Sequence, residues 1–98
     1  MRVSKHQVEL LAKRYKIDLN VISLDTLMIG TKVELEHGKR YGKHSKDTNV
    51  IGTNVELAFK IVLGHLVEFP NYYSYLTKME SKLDAYWSKR KKPSIFLR

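Results

Sequence analysis

Apolar residues recur along this chain at the three- and four-residue spacing of helices, in stretches separated by polar or helix-breaking residues. The first stretch follows Ser4, which with Gln7 three residues on has the pattern of a capping box. Val8, Leu11, Ala12 and Tyr15 form one stripe and predict a helix over about residues 5–16. "KIDLNVIS" reads as a short connection whose apolar residues pack down. Ser23 or Asp25 is placed to cap a second helix. Its main stripe is Leu24, Leu27, Met28, Thr31 and Leu35. Ile29 and Val33 lie on another side, so much of this helix is expected to be covered. Gly38 is a natural stop.

"KRYGKHSKDTNVIG" reads as a long polar loop, in which "NVIG" is a candidate for a brief extended pairing. Thr53 and Glu56 repeat the capping-box spacing and predict the start of a third helix, with Val55, Ala58, Val62, Leu66 and Phe69 on its core face. Pro70 interrupts it, and Asn71 is placed to cap a fourth helix. That helix carries Tyr72, Leu76, Met79, Leu83 and Tyr86 in one stripe, with Trp87 beside it. The pattern fades at "KRKKP", and "SIFLR" is a short apolar tail. With no convincing strand pair and no repeat, the expectation is all-α. It is a compact bundle of about four helices with a basic loop and a basic C-terminal tail, divided as a helical domain over 1–88 and an arm over 89–98.

Composition narrows the function classes. There is no cysteine, so any metal has to be held by histidine and carboxylate, and a reducing compartment is permitted. No apolar run approaches the roughly 18 residues of a membrane span. The N-terminal stretch has helical periodicity instead of a signal peptide's continuous apolar core. A soluble, intracellular protein with no membrane partner is expected.

The net charge of +8 suits an acidic protein surface or a phosphate backbone, and equally a merely solvated surface. Its denser groups are Lys39, Arg40, Lys43 and Lys46 in the loop and Lys89, Arg90, Lys91 and Lys92 in the tail, where Ile95, Phe96 and Leu97 would anchor a contact.

Candidate chemistry sits on the second and third helices. On a helical wheel with the apolar stripe at zero, Glu34 falls at roughly −80° and His37 at roughly −140°. On the third helix His65 falls at roughly −80° and Glu68 at roughly −140°. The offsets match and the order is reversed, as an antiparallel pair requires if the four are to converge. Two imidazoles and two carboxylates suit one Zn, Fe or Mn ion. The supply of further glutamates that a dinuclear site uses is missing, so a mononuclear site is the expectation. The bland reading stays open beside it: His37 as a cation at a helix C-terminus, His65 as a hydrogen-bonded core histidine, and Glu34 and Glu68 as salt-bridge or capping residues. Glu36 points elsewhere and is expected on the surface. His6 and His44 lie in polar contexts and are not taken as ligands. The tyrosines of "FPNYYSYL" have helical spacing and read as core and rim, not as a base-stacking platform.

The segments "KVELEHG", "DTNV" and "AFKIVLGHLVEFPNYYSYLTKME", within residues 24–80, resemble an uncharacterised family of small proteins from bacteria, phages and large DNA viruses. The family's pattern is E-x-E-H-G, then T-N-V, then H-L-x-E-F-P-D-Y-Y; here Asn71 stands in place of the aspartate. The basic loop and tail depart from that pattern. The resemblance implies a helical fold and importance for Glu34, Glu36, His37, His65 and Glu68, and supplies no reaction. It also implies a role associated with a virus particle or with infection.

Nothing in the sequence resembles a nucleophile with its base, a phosphate-cradling glycine loop or a zinc-protease helix. Three readings remain. The first is a non-catalytic metal-binding protein using Glu34, His37, His65 and Glu68. The second is a structural or interaction protein of virion type, and the third a sequence-nonspecific nucleic-acid-binding accessory protein.

Overall fold

A computed structural model describes residues 3–37, 45–49 and 51–93. These form five helices: α1 (Lys5–Arg14), α2 (Leu24–Glu36), α3 (Ser45–Thr48), α4 (Val55–Glu68) and α5 (Tyr72–Trp87). Among the described residues there is no strand, so the fold is all-α.

The start of α1 is as expected. The Ser4 hydroxyl accepts from the Gln7 N–H at 3.1 Å, and the Gln7 side chain accepts from the Ser4 N–H at 3.1 Å. The helix stops two residues short of the expected end. Lys16 adopts a left-handed conformation with φ 55°, and the Lys16 and Ile17 N–H groups turn back to the carbonyls of Lys13 and Ala12. This is a Schellman ending with lysine where glycine is usual. A left-handed L-residue costs roughly 1–2 kcal/mol, offset in part by the extra freedom glycine has in the unfolded chain. Lys16→Gly is therefore expected to raise stability by up to about 1 kcal/mol, read as a higher urea midpoint at unchanged slope. A lowered midpoint would contradict this account of the helix end.

Ser23 caps α2, accepting from the Thr26 N–H at 3.1 Å. The expected stripe is confirmed at Leu27, Thr31 and Leu35, all buried, while Ile29, expected to be covered, is exposed. Leu19 and Val21 in the connection before it are also exposed, whereas Ile17 and Ile22 pack against the core.

The loop expected over 39–52 contains α3, and Ile51 and Gly52 form a turn in place of an extended pairing, with Gly52 at φ 64°. The third predicted helix, α4, is capped by Asn54, whose side chain accepts from the Leu57 N–H at 2.9 Å; the expected Thr53–Glu56 box does not form. Glu56 instead reaches α1. Its carboxylate accepts from Arg14 Nη1 at 3.0 Å and from the Tyr15 hydroxyl at 2.6 Å. The Tyr15 and Arg14 donors hold the Glu56 carboxyl below its ordinary range, and the same bond raises the Tyr15 phenol. Asn71 precedes α5 without a side-chain cap hydrogen bond.

The core gathers Val8, Leu11 and Ala12 from α1, Leu27 from α2, Phe59, Val62 and Leu66 from α4, and Tyr73 from α5. The main packing is α2 against α4, with α1 laid across both. Phe59 is fully buried and belongs to the α4 stripe one turn after Val55, a position the sequence reading left out. Phe69, expected in the core, caps the C-terminus of α4 with an extended backbone (φ −153°) and is exposed. No helix among the described residues is long and apolar enough to cross a membrane.

Candidate functional site

Glu34 is one of two buried polar residues among those described, the other being Thr31. The Thr31 hydroxyl is satisfied within α2, donating to the Leu27 carbonyl at 2.7 Å. Glu34 looks outward from its own helix for a partner. Tyr73 of α5 donates its hydroxyl to Glu34 Oε2 at 2.9 Å, and His65 of α4 places Nε2 3.7 Å from the same oxygen. The second distance is too long for a hydrogen bond.

The rings around this carboxylate are ordered. His65 stacks on Tyr72 with centroids 4.1 Å apart and planes 2° from parallel, and meets Tyr73 edge-on at 6.2 Å. Tyr72 and Tyr73 are themselves edge-to-face at 4.9 Å. Gly30, one turn before Glu34, makes this possible. A Cβ there would stand 2.7 Å from Tyr73 Cε2 and 2.9 Å from Val62 Cγ1, so the tyrosine ring lies directly on the α2 backbone.

Burial, first, and the Glu34 carboxylate, second, push the Tyr73 phenol far above its ordinary value of 10.0. Burial also raises Tyr72, helped by the negative charges of Glu34, Glu68 and Glu80. A phenol with a raised folded-state pKa adds stability that is complete below its unfolded value and is lost as pH rises through and beyond it. The window for Tyr73 therefore opens near pH 10 and extends upward. Tyr73→Phe is expected to lose part of the stability decline above that pH, measured as Tm against pH in the alkaline range. Identical alkaline slopes for the two proteins would contradict a buried, neutral Tyr73.

Of the expected metal set, two residues meet and two do not. Glu34 and His65 come together from α2 and α4. His37 is the C-cap of α2, with ψ 132°, and its side chain is exposed. The helical spacing that placed it beside Glu34 therefore ends one residue too soon. Glu68 is exposed at the last turn of α4, where its charge acts on Tyr72. No group of three or more His, Cys, Asp or Glu among the described residues is arranged to hold a metal ion. Glu36 is half-buried instead of lying on open surface. Tyr73, the partner that closes the site, was read from the sequence only as core or rim. Gly30 was the available signal, since a gap beside a buried carboxylate calls for a bulky donor.

A second surface begins at the same place. Tyr72 and Leu76, the first two residues of the α5 stripe, pack against the core. Met79, Leu83 and Tyr86 continue that stripe into solvent and are 51%, 46% and 49% exposed. Tyr75 and Phe69 are exposed beside it, their rings 5.2 Å apart.

Basic groups frame this surface. Lys78 Nζ lies 5.5 Å from the Tyr75 ring centre, and the Arg90 guanidinium lies 4.1 Å over Tyr86, with Nη1 donating to the Tyr86 carbonyl at 2.8 Å. Lys46, Lys89, Arg90, Lys91 and Lys92 are exposed. Lys39, Arg40, Lys43, Ile95, Phe96 and Leu97, the remaining residues of the expected partner surface, lie outside the described residues, as do Gly38 and His44.

No curated protein and no solved structure matches the chain. A family model does match, over residues 8–82, a span that runs from within α1 through most of α5 and holds both halves of the Glu34–Tyr73 contact. The chain belongs to the family described as Protein of unknown function (DUF5661).

Proposed function

We propose that this protein is a partner-binding module with no chemistry of its own, which presents α5 and the basic segment after it to an acidic surface on another protein. The supporting observation is the stripe on α5. Its first two residues, Tyr72 and Leu76, are used inside the molecule, and its last three, Met79, Leu83 and Tyr86, are left in water. The Glu34–Tyr73–His65 cluster then has a mechanical role. It pins the N-terminal end of α5 to α2 and α4, so that the rest of the helix is held out rigidly. A preorganised helix loses little freedom on binding. The resemblance to a family from bacteria, phages and large DNA viruses makes components of a virus particle one class of partner.

Chemical crosslinking in the cells that produce the protein tests this reading. The recovered partner is expected to be joined at Lys78, Lys82 or Lys89. Changing Met79, Leu83 and Tyr86 together to glutamine is expected to abolish its capture at unchanged Tm. A partner joined elsewhere, and held equally by the variant, would overturn the reading. Nucleic acid as the partner would show instead as binding that ignores sequence and weakens steeply with salt.

A second reading is a divalent ion, Zn, Fe or Mn, held at Glu34 and His65, and their 3.7 Å approach from two helices favours it. Two protein ligands fall short of the three or four usual for such ions, so His37 or Glu68 would have to turn inward. Elemental analysis of untagged protein decides. About one metal per chain, with chelator lowering the Tm of wild type and leaving His65→Gln unmoved, supports it. Metal-free protein indifferent to chelator removes it.

A further inference from the structure

We infer that the occupant of the open α5 face is an acidic amphipathic helix packed against it in coiled-coil register; this rests on the partner-binding reading above. The spacing carries the first step. Tyr72, Leu76, Met79, Leu83 and Tyr86 are separated by four, three, four and three residues, the alternation of a heptad seam. Leu76 and Leu83 take the a positions, and Tyr72, Met79 and Tyr86 the d positions. A seam of this kind is matched by another helix, whose side chains enter the holes between successive a and d residues. The bundle itself covers the seam at Tyr72 and Leu76 and leaves it at Met79, so a partner helix would continue along α5 where the core stops.

Charge selects the occupant. Between Tyr72 and Pro93 the chain carries six cations, Lys78, Lys82, Lys89, Arg90, Lys91 and Lys92, against two carboxylates, Glu80 and Asp84. Lys82 and Lys89 fall at g positions beside the seam, and Glu80 and Trp87 at e. Arg90 folds back over Tyr86, which brings a further cation to the end of the seam. A second copy of this chain fits poorly. In antiparallel order g faces g, setting Lys82 and Lys89 against the same lysines. In parallel order Lys82 faces Trp87. Neither order forms a salt bridge across the seam, and each copy brings a charge of +8. A helix with apolar a and d positions and glutamate at the flanks meets Lys82 and Lys89 with opposite charge and is steered toward the basic end of α5. The open stretch, Met79 to Tyr86, holds little more than one heptad, against the three or four of a free-standing coiled coil. The anchored α5 supplies a helix already formed, so only the partner has to order.

The experiment uses the full chain and two synthetic peptides of about three heptads, both with leucine at a and d. One has glutamate at e and g, the other lysine. The acidic peptide is expected to bind, with a gain in helical circular dichroism, at least about tenfold more tightly than the lysine peptide. Raising salt should narrow that gap, and the Met79→Gln, Leu83→Gln, Tyr86→Gln variant should bind the acidic peptide at least about tenfold more weakly. Equal binding of both peptides, or of neither, overturns the inference. So does sedimentation showing a dimer of the chain that the glutamine variant abolishes, which would make a second copy the occupant. These failures leave the partner-binding reading standing if the crosslinked partner still maps to α5. That reading falls only if the variant keeps its partner.

Discussion

Gly30→Val is expected to destabilise the protein by roughly 3 kcal/mol, the upper end of what overpacking a filled core costs. A Cβ at this position would already stand 2.7 Å from Tyr73 Cε2 and 2.9 Å from Val62 Cγ1, and valine adds two further carbons beyond it. The neighbours have little room to yield: Tyr73 is buried and Val62 fully so. The gain in helix propensity over glycine is at most about 1 kcal/mol, too small to compensate. For a domain of this size each kcal/mol moves Tm by about 4–8 °C, so a fall of more than about 10 °C is expected in a thermal melt. Gly64→Ala supplies the matched control. Nothing lies within 4 Å of a Cβ at Gly64 in α4, so only the propensity gain remains and stability should rise by about 1 kcal/mol. Opposite signs for the two substitutions are the expected result. A Gly30→Val protein that melts with the wild type would mean that Tyr73 does not lie on the α2 backbone.

Tyr73→Phe is expected to cost about 2–3 kcal/mol, although it removes a single oxygen. The lost hydroxyl is the only hydrogen-bond donor described on the Glu34 carboxylate, whose side chain is 10% exposed, and His65 at 3.7 Å does not replace it. A buried carboxylate without a donor pays its desolvation in full. Glu34→Gln is expected to cost less than half as much, because an amide oxygen still accepts from the phenol. Glu34→Leu combined with Tyr73→Phe should recover much of the loss of Tyr73→Phe alone, since an apolar pair of similar volume leaves no unpaired group. Chemical denaturation of the three variants tests the order. If Glu34→Gln proved the most damaging, the carboxylate's charge would be doing something other than accepting from Tyr73, and ion pairing with His65 or a bound cation would be the better account. Because the contact ties α5 to the bundle, Tyr73→Phe should also weaken capture of a partner by the distant Met79–Tyr86 stretch.

The sequence alone determined the helical class and the stripes at Leu27–Leu35 and Ala58–Leu66, because an amphipathic helix must repeat its apolar residues at the period of its own backbone. It also determined the side-chain cap at Ser4 and narrowed that of α2 to Ser23 or Asp25, of which Ser23 caps; both caps are contacts of three residues' reach. It singled out Glu34, His37, His65 and Glu68 as a meeting point of two helices, since their angular offsets from the stripes agree in pairs, and of these Glu34 and His65 come together. What it left to the tertiary structure were the choices that depend on a distant competitor. Glu56 had the spacing of a capping box, yet Arg14 and Tyr15 at the C-terminal end of α1 claim its carboxylate, and Asn54 caps the helix instead. His37 had the right angle on an ideal helix, but the backbone turns extended at that residue and the angle no longer applies. The heptad spacing of α5 was legible in full. Which part of it the bundle would cover was not, because periodicity fixes a face and only the lengths and placement of α2 and α4 decide how far along α5 that face finds a neighbour. The tertiary structure covers Leu76 and leaves Met79, Leu83 and Tyr86 to the solvent or to a partner.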